Sequence, residues 1–409
     1  MKLYLNKLEQ NLIKTEIQIT GSKSETNRLL LLQSLFGNLS LENLSNSDDA
    51  TVMQKGLQAI QGEVDIHHAG TAMRFLTSYF ASSEGKEVVL TGSARMKERP
   101  IKVLVDALQS LGADISYVES EGYPPLKIKG KKLTKTSVGL PADVSSQYIS
   151  SLLLIAPHLT NGMVLDLMGK ITSIPYIKMT LGLLNEIGVQ TKFEGNQIKV
   201  YPKTQVDDKT MVVESDWSAA SYFYSIAALA EVSSEIRLSS YKKDSLQGDS
   251  VLSEIYKDFG VETYFEENTI VLRKVKNVTL ETLDLELHNA PDIAQTIAVT
   301  CFGLGMGCNL TGLHTLPIKE TDRLAAMKTE LEKVGATVTI SDKSLHLASG
   351  QGISTDKVID TYNDHRMAMA FAPLALKTAL YINDAGVVSK SYPDFWKDMK
   401  LVGLQISSV

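Results

Sequence analysis

The chain has 409 residues, enough for two or three domains with sizeable cores, which excludes a single small binding module. Its 41 lysines and arginines against 47 aspartates and glutamates leave a net charge of -6, so bulk attraction to nucleic acid or anionic lipid is excluded and anions must be bound by local clusters. Hydrophobic residues reach 44%, yet no run approaches the roughly 20 apolar residues that span a bilayer, and MKLYLNKLEQ has no signal or transit pattern.

Along the chain the predicted elements alternate between two helix types. The first type is apolar nearly all round with a polar start: SETNRLLLLQSLF from Ser24, TAMRFLTSYF from Thr71, SSQYISSLLLIA from Ser145, WSAASYFYSIAALA from Trp217, DIAQTIAVTCFGL from Asp292 and DHRMAMAFAPLAL from Asp364. Such helices are expected to be buried on every side. The second type is amphipathic and runs into glycine and an alternating strand, with copies from Thr51, Ile101, Tyr176, Val251, Arg323 and Asp394. In IKVLVDALQSLGADISY, Ile101, Leu104, Val105, Leu108 and Leu111 share one helical face, Gly112 serves as C-cap, and Ile115 and Tyr117 alternate. Several copies continue into a second strand, as in PPLKIKG, NQIKVY and NTIVLR.

The buried helices from Thr71 onward start 74, 72, 75 and 72 residues apart, and only the first interval, 47, is short. This regularity predicts a sixfold repeat. The alternative is an ordinary α/β protein with helices of similar length. Six units could close one ring or form two globules of three; the polar stretch KTQVDDKT, 203–210, is the hinge candidate and favours two globules.

Polar residues crowd the amino-terminal ends of the buried helices, where unpaired N–H groups and the helix dipole favour anions. Ser145 or Asp292 taken singly reads as an ordinary N-cap. The cations beside them, in GSKSETNR (Lys23, Arg28), AGTAMR (Arg74), RMKERP (Arg95, Lys97, Arg99), PIKETDRL (Lys319, Arg323), NDHRMAM (Arg366) and VSKSYPDFW (Lys390), shift the reading toward an anion site. Internal salt bridges with Glu98, Asp322 or Asp364 remain the alternative, more so for Arg74, Arg95 and Lys97 than for Lys23, Arg99, Arg323 and Arg366. Carboxylates placed among bound anions would repel them unless they transfer protons, which makes Asp292 and Glu320 the candidate acid and base.

GSKS echoes a phosphate-binding loop but lacks the required GxxxxGK[ST] spacing. His67 and His68 have no metal-ligand spacing and read as loop or core residues, so no metal is expected. Cys301 and Cys308 are too few for a disulfide framework; a reducing cytoplasm is expected, with both thiols in packing roles rather than reactive ones.

Ten strings in order, GSKSETNR, AGTAMR, RMKERP, VSSQY, SIPY, SLQGD, PDIAQT, KETDR, TYNDHRMAM and SKSYPDFW, resemble the enolpyruvyl transferase family of 3-phosphoshikimate 1-carboxyvinyltransferases, or EPSP synthases. The resemblance implies a two-domain inside-out α/β barrel of six βαβαββ repeats, three per domain, with 21–213 as one domain and 1–20 plus 214–409 as the other, and an active site between them. It implies transfer of the enolpyruvyl group of phosphoenolpyruvate to the 5-hydroxyl of shikimate 3-phosphate by addition and elimination, without a cofactor, in chorismate and aromatic amino-acid biosynthesis.

Carried over by position, Lys23, Ser24, Arg28, Ser145, Ser146, Gln147, Ser173, Tyr176, Asp292, Thr315 and Lys319 would hold shikimate 3-phosphate. Lys23, Gly70, Arg99, Gln147, Arg323, Arg366 and Lys390 would hold phosphoenolpyruvate. Glu320 is assigned as acid toward the methylene and Asp292 as base toward the 5-hydroxyl, with Lys23 and His365 assisting phosphate departure. The family's inhibitor glyphosate occupies the phosphoenolpyruvate site, and sensitivity is expected because Gly70 leaves its space open. Departures from the usual family residues are His68 for Asn, Phe75 for Pro, Ile174 for Lys and Thr315 for Asn; His68 and Phe75 bracket the Gly70 loop. A monomer is expected. The rival readings are a UDP-N-acetylglucosamine enolpyruvyl transferase and a non-catalytic anion-binding protein on the same fold.

Overall fold

The computed structural model describes residues 1–142, 145–169, 171 and 174–409. The chain forms two compact units, one of residues 1–20 and 214–409, the other of residues 21–213.

In the 21–213 unit, strands Ser137–Pro141 and Met163–Met168 are parallel, with the Ser146–Ile155 helix crossing between them. The Ile174–Glu186 helix then leads to the hairpin Thr191–Glu194 and Gln197–Val200, whose second strand pairs antiparallel with Met163–Met168. The same βαβαββ order recurs from strand Gln61–Asp65 to strand Leu126–Lys129. The first repeat is reduced to a two-stranded parallel sheet of Leu39–Glu42 and Lys209–Val212. Its short interval thus omits a hairpin, and strand Gln61–Asp65 belongs to the next sheet.

In the other unit three four-stranded sheets form, and the amino-terminal segment completes two of them. Lys14–Ile17 lies parallel to Glu235–Ser239, while Leu3–Leu5 sits between Leu380–Ile382 and Ile406–Ser408, antiparallel to both. The copy from Val251 is shorter than its pattern predicts: only Leu252–Ile255 is α-helical, after a single 3-10 turn at Gly248–Val251. Gly112 follows the Lys102–Ser110 helix with φ +106°, a backbone conformation that glycine adopts without steric cost.

Every residue of helices Trp217–Leu229, Ala294–Gly303 and His365–Phe371 is buried. In both units, polar side chains of the apolar helices meet partners about one repeat away on a neighbouring helix. Ser78 bonds Ser151 (73 residues apart), Ser221 bonds Thr296 (75), and Thr300 donates to Ser225 (75). Buried hydroxyls are thereby satisfied without breaking helix–helix packing. Among the described residues no helix is long and apolar enough to cross a membrane.

Candidate active site

In the 21–213 unit, the Lys23–Phe36 helix carries Lys23 in its first turn and Arg28 on a fully packed face. The Arg28 guanidinium, 3% exposed, donates to Thr180 Oγ1 at 2.8 Å, Ser150 Oγ at 3.0 Å and the Ser24 carbonyl at 2.7 Å. All of these acceptors are neutral, and burial pulls the guanidinium down to about 10. The rings of Phe75 and Tyr176 lie 5.4 Å and 6.0 Å from its Cζ. Phe75, which the sequence sets beside the Gly70 loop, thus also lies against Arg28, a contact the sequence reading did not foresee.

Arg74 is also buried, without a carboxylate partner among the described residues, donating to the carbonyls of Gly70 at 3.2 Å and Pro100 at 3.1 Å. Burial, with Arg99 as a second cause, pulls it to about 10. Gly70 lies against the Arg99 guanidinium: a Cβ there would stand 2.5 Å from Nη1. Gln147 donates to Thr71 Oγ1 at 3.2 Å, and Tyr148 donates to the Pro100 carbonyl at 2.6 Å. Gly70, Arg99 and Gln147 are thus gathered into one group. Ser145 caps the Ser146–Ile155 helix by accepting from the Gln147 amide. Lys23 Nζ stands 3.5 Å from Asp49, which His68 approaches at 3.9 Å. Ser173 lies outside the described residues. Arg95 pairs with Glu98 at the surface, as the internal-pairing alternative expected, and Lys97 pairs with Glu119, a partner that alternative did not name.

The other unit holds a denser cluster. Arg323, the first residue of the Arg323–Lys333 helix and 2% exposed, donates to Asp364 Oδ2 at 2.7 Å, Asp292 Oδ1 at 2.8 Å and Glu320 Oε2 at 2.8 Å. Internal pairing, which the sequence reading had disfavoured for Arg323, is thus its state here. Lys319 Nζ and Arg366 Nη2 approach Asp292 at 3.2 Å and 3.5 Å. Burial alone would raise the Asp292 carboxyl, but Lys319, Arg366 and Arg323 together hold it well below the usual carboxylate range. Arg366 also donates to Ser218 Oγ at 3.1 Å, and Asp364 caps its helix by accepting from the Arg366 amide. His365 is buried beside Asp364, with Nδ1 3.7 Å from Oδ1. Lys390 donates to the carbonyl and side-chain oxygens of Asn363, both at 2.7 Å. Asp292 does not open its helix as predicted; it sits in a 3-10 turn, Pro291–Ile293, before Ala294–Gly303. The Thr315 hydroxyl is buried with no hydrogen-bond partner among the described residues.

Residues 61–399 match the family described as EPSP synthase (3-phosphoshikimate 1-carboxyvinyltransferase). The chain belongs to the EPSP synthase family. A 3-phosphoshikimate 1-carboxyvinyltransferase of Bacteroides fragilis is 45% identical over 400 residues, 96% of each chain. One from Aliivibrio fischeri is 37% identical over 418 residues, covering 95% of this chain and 96% of its own. The structure of an EPSP synthase from Acinetobacter baumannii matches over the whole of both chains with TM-score 0.82 at 20% identity, a likeness of fold.

Within this EPSP synthase fold one member of the acidic cluster was missed by sequence reasoning. Asp249, in the Gly248–Val251 turn, has its carboxyl pushed up to about 7 by burial and by the charge of Asp292, against the pull of Arg366 and Lys319. Its signal was the SLQGD string, which carried the resemblance but not the chemistry.

Proposed function

We infer that this chain transfers the enolpyruvyl group of phosphoenolpyruvate to the 5-hydroxyl of shikimate 3-phosphate, releasing phosphate and 5-enolpyruvylshikimate 3-phosphate. The observation that carries the mechanism is the Arg323 fork, one guanidinium holding Asp292 on Nη1 and Glu320 on Nη2, each at 2.8 Å. Two carboxylates with unequal surroundings are suited to opposite proton transfers.

Glu320, the more exposed at 35%, delivers the proton to the methylene carbon of phosphoenolpyruvate while the 5-hydroxyl attacks the adjacent carbon. Asp292 accepts the hydroxyl proton. In the unliganded cluster Asp292 is too acidic for this task, because three cations face it. Phosphate and carboxylate groups of the substrates draw on those same cations and return basicity to Asp292 when it is needed. The tetrahedral adduct then expels phosphate as Glu320, ionised by the first step, takes a proton back from its methyl carbon, with Lys23 and His365 assisting phosphate departure.

Arg28, Ser145, Gln147, Tyr176 and Lys319 are assigned to shikimate 3-phosphate, and Lys23, Arg99, Arg323, Arg366 and Lys390 to phosphoenolpyruvate. Arg28 and Arg74, buried with only neutral hydrogen-bond acceptors among the described residues, support an anionic ligand, since a buried cation with no direct ion pair is costly. We place the enzyme in the cytoplasm as a monomer. Phosphate release is the test: the protein should release phosphate from phosphoenolpyruvate with shikimate 3-phosphate and not with UDP-N-acetylglucosamine, and Glu320→Gln should abolish it. Release with the sugar nucleotide alone, or full activity in Glu320→Gln, would overturn the assignment.

A further inference from the structure

The segment leading into the His365–Phe371 helix is held in an unusual shape. Tyr362 and Asn363, neither a glycine, are both left-handed, with φ of +53° and +56°. Consecutive residues in this region persist only where their surroundings impose it. The surroundings are a fully buried carboxylate, Glu330, two turns beyond Arg323 on the same helix. Glu330 accepts from the Tyr362 hydroxyl at 2.6 Å, the Asp360 amide at 3.1 Å and Lys333 Nζ at 2.8 Å. Lys333 in turn bonds Asp360 at 2.6 Å.

The Arg323–Lys333 helix therefore grips this segment at two points, through Arg323 on Asp364 and through Glu330 on Tyr362. Asn363 stands between those points, and both of its oxygens accept from Lys390 Nζ. Two acceptors from one residue fix the direction of an otherwise flexible ammonium. Glu330 and Tyr362 have no place in the proton transfers above.

We propose that Glu330 and Tyr362 are positioning residues: they lock Asn363 in its left-handed shape and so pre-aim Lys390 at the phosphoenolpyruvate anion. The inference rests on the assignment of Lys390 to that substrate. Pre-aiming lowers the ordering cost of binding, so loosening the clamp weakens phosphoenolpyruvate binding and leaves shikimate 3-phosphate alone.

The test is a steady-state double-mutant cycle on the full chain with both substrates varied. Tyr362→Phe removes one hydroxyl, and Glu330 keeps Lys333 and the Asp360 amide, so the fold is retained. It should raise KM for phosphoenolpyruvate about five-fold with kcat changed less than about two-fold and KM for shikimate 3-phosphate unchanged. Lys390→Met should raise the same KM by more, and adding Tyr362→Phe to it should have no further effect. Glu330→Gln, which can still accept from the tyrosine, should be milder than Glu330→Ala.

An unchanged or lowered KM for phosphoenolpyruvate in Tyr362→Phe overturns the clamp while leaving the Lys390 assignment intact if Lys390→Met still raises it. Additive effects in the double variant overturn the coupling to Lys390. An unchanged KM in Lys390→Met overturns the assignment and the clamp together.

Discussion

Arg323 and Asp364 meet inside the 214–409 segment as an ion pair with almost no exposure on either side, Nε to Oδ2 at 2.7 Å and side chains 2% and 0% exposed. The pair is tolerable because the guanidinium also reaches Asp292 and Glu320, and because Asp364 caps its helix. Arg323→Met would leave Asp364 buried without its counter-charge, at a cost of about 3–5 kcal/mol. We expect a lower melting midpoint and no detectable turnover. Arg323→Lys should recover much of the stability but not the activity, since one ammonium cannot span three carboxylates. Thermal melts beside phosphate-release rates separate the two effects, and a fully active Arg323→Lys enzyme would refute the role given to the fork.

Arg28 poses the opposite case, a buried cation whose acceptors are all neutral. Without it, Thr180 and Ser150 still bond each other at 2.9 Å, and Thr180 still bonds the Tyr176 carbonyl. Arg28→Met should therefore melt at the wild-type temperature or above, while KM for shikimate 3-phosphate rises about 100-fold. A variant that loses stability with its KM unchanged would make Arg28 a structural residue only.

How far the sequence carried depends on the range of the interaction. The all-apolar helices with polar starts were legible because burial on every side leaves no polar face, and hairpins such as Gln197–Val200 with its partner showed in strict alternation. Leu3–Leu5 and Lys14–Ile17 were not legible as members of two different sheets, because their partners lie more than 200 residues away and no local pattern encodes that register. The helix expected from Val251 keeps one α turn, because the amides of Lys257, Asp258 and Phe259 bond carbonyls three residues back instead of four. In the site, motif cations and acids could be named, but the pairing of Arg323 with three acids, and the crowding that marks Asp249, are tertiary facts.

Gly70 gives a steric prediction. Its Cβ position lies 2.5 Å from Arg99 Nη1 and 3.1 Å from Cζ, the far end of a flexible side chain. Gly70→Ala should fold normally and displace the guanidinium. We expect KM for phosphoenolpyruvate to rise about 10-fold and glyphosate to inhibit more weakly, with KM for shikimate 3-phosphate unchanged. Inhibition titrations on both proteins decide it: equal glyphosate sensitivity would mean that Arg99 does not contact the inhibitor.

Asp249 gives the pH prediction. Its folded carboxyl titrates at about 7, whereas an unfolded aspartate titrates near about 3.9. Between those values the folded protein keeps a proton that the unfolded chain has lost, so Asp249 makes stability fall as pH rises through this window. Above pH 7 the whole penalty of an ionised carboxylate facing Asp292 is present. Asp292 acts with the opposite sign: its folded value is depressed, so its contribution is intact throughout this window and is lost only in stronger acid. Asp249→Asn removes the titration while keeping shape and hydrogen-bonding capacity. Its melting temperature should match wild type near pH 4 and exceed it by roughly 8–17 °C at pH 8, taking about 1.4 kcal/mol per pKa unit and roughly 2–4 °C per kcal/mol for units of this size. A gap that is constant with pH, or largest in acid, would show that Asp249 is not the group under strain, and the repulsion between Asp249 and Asp292 would then have to be absorbed by Lys319 and Arg366.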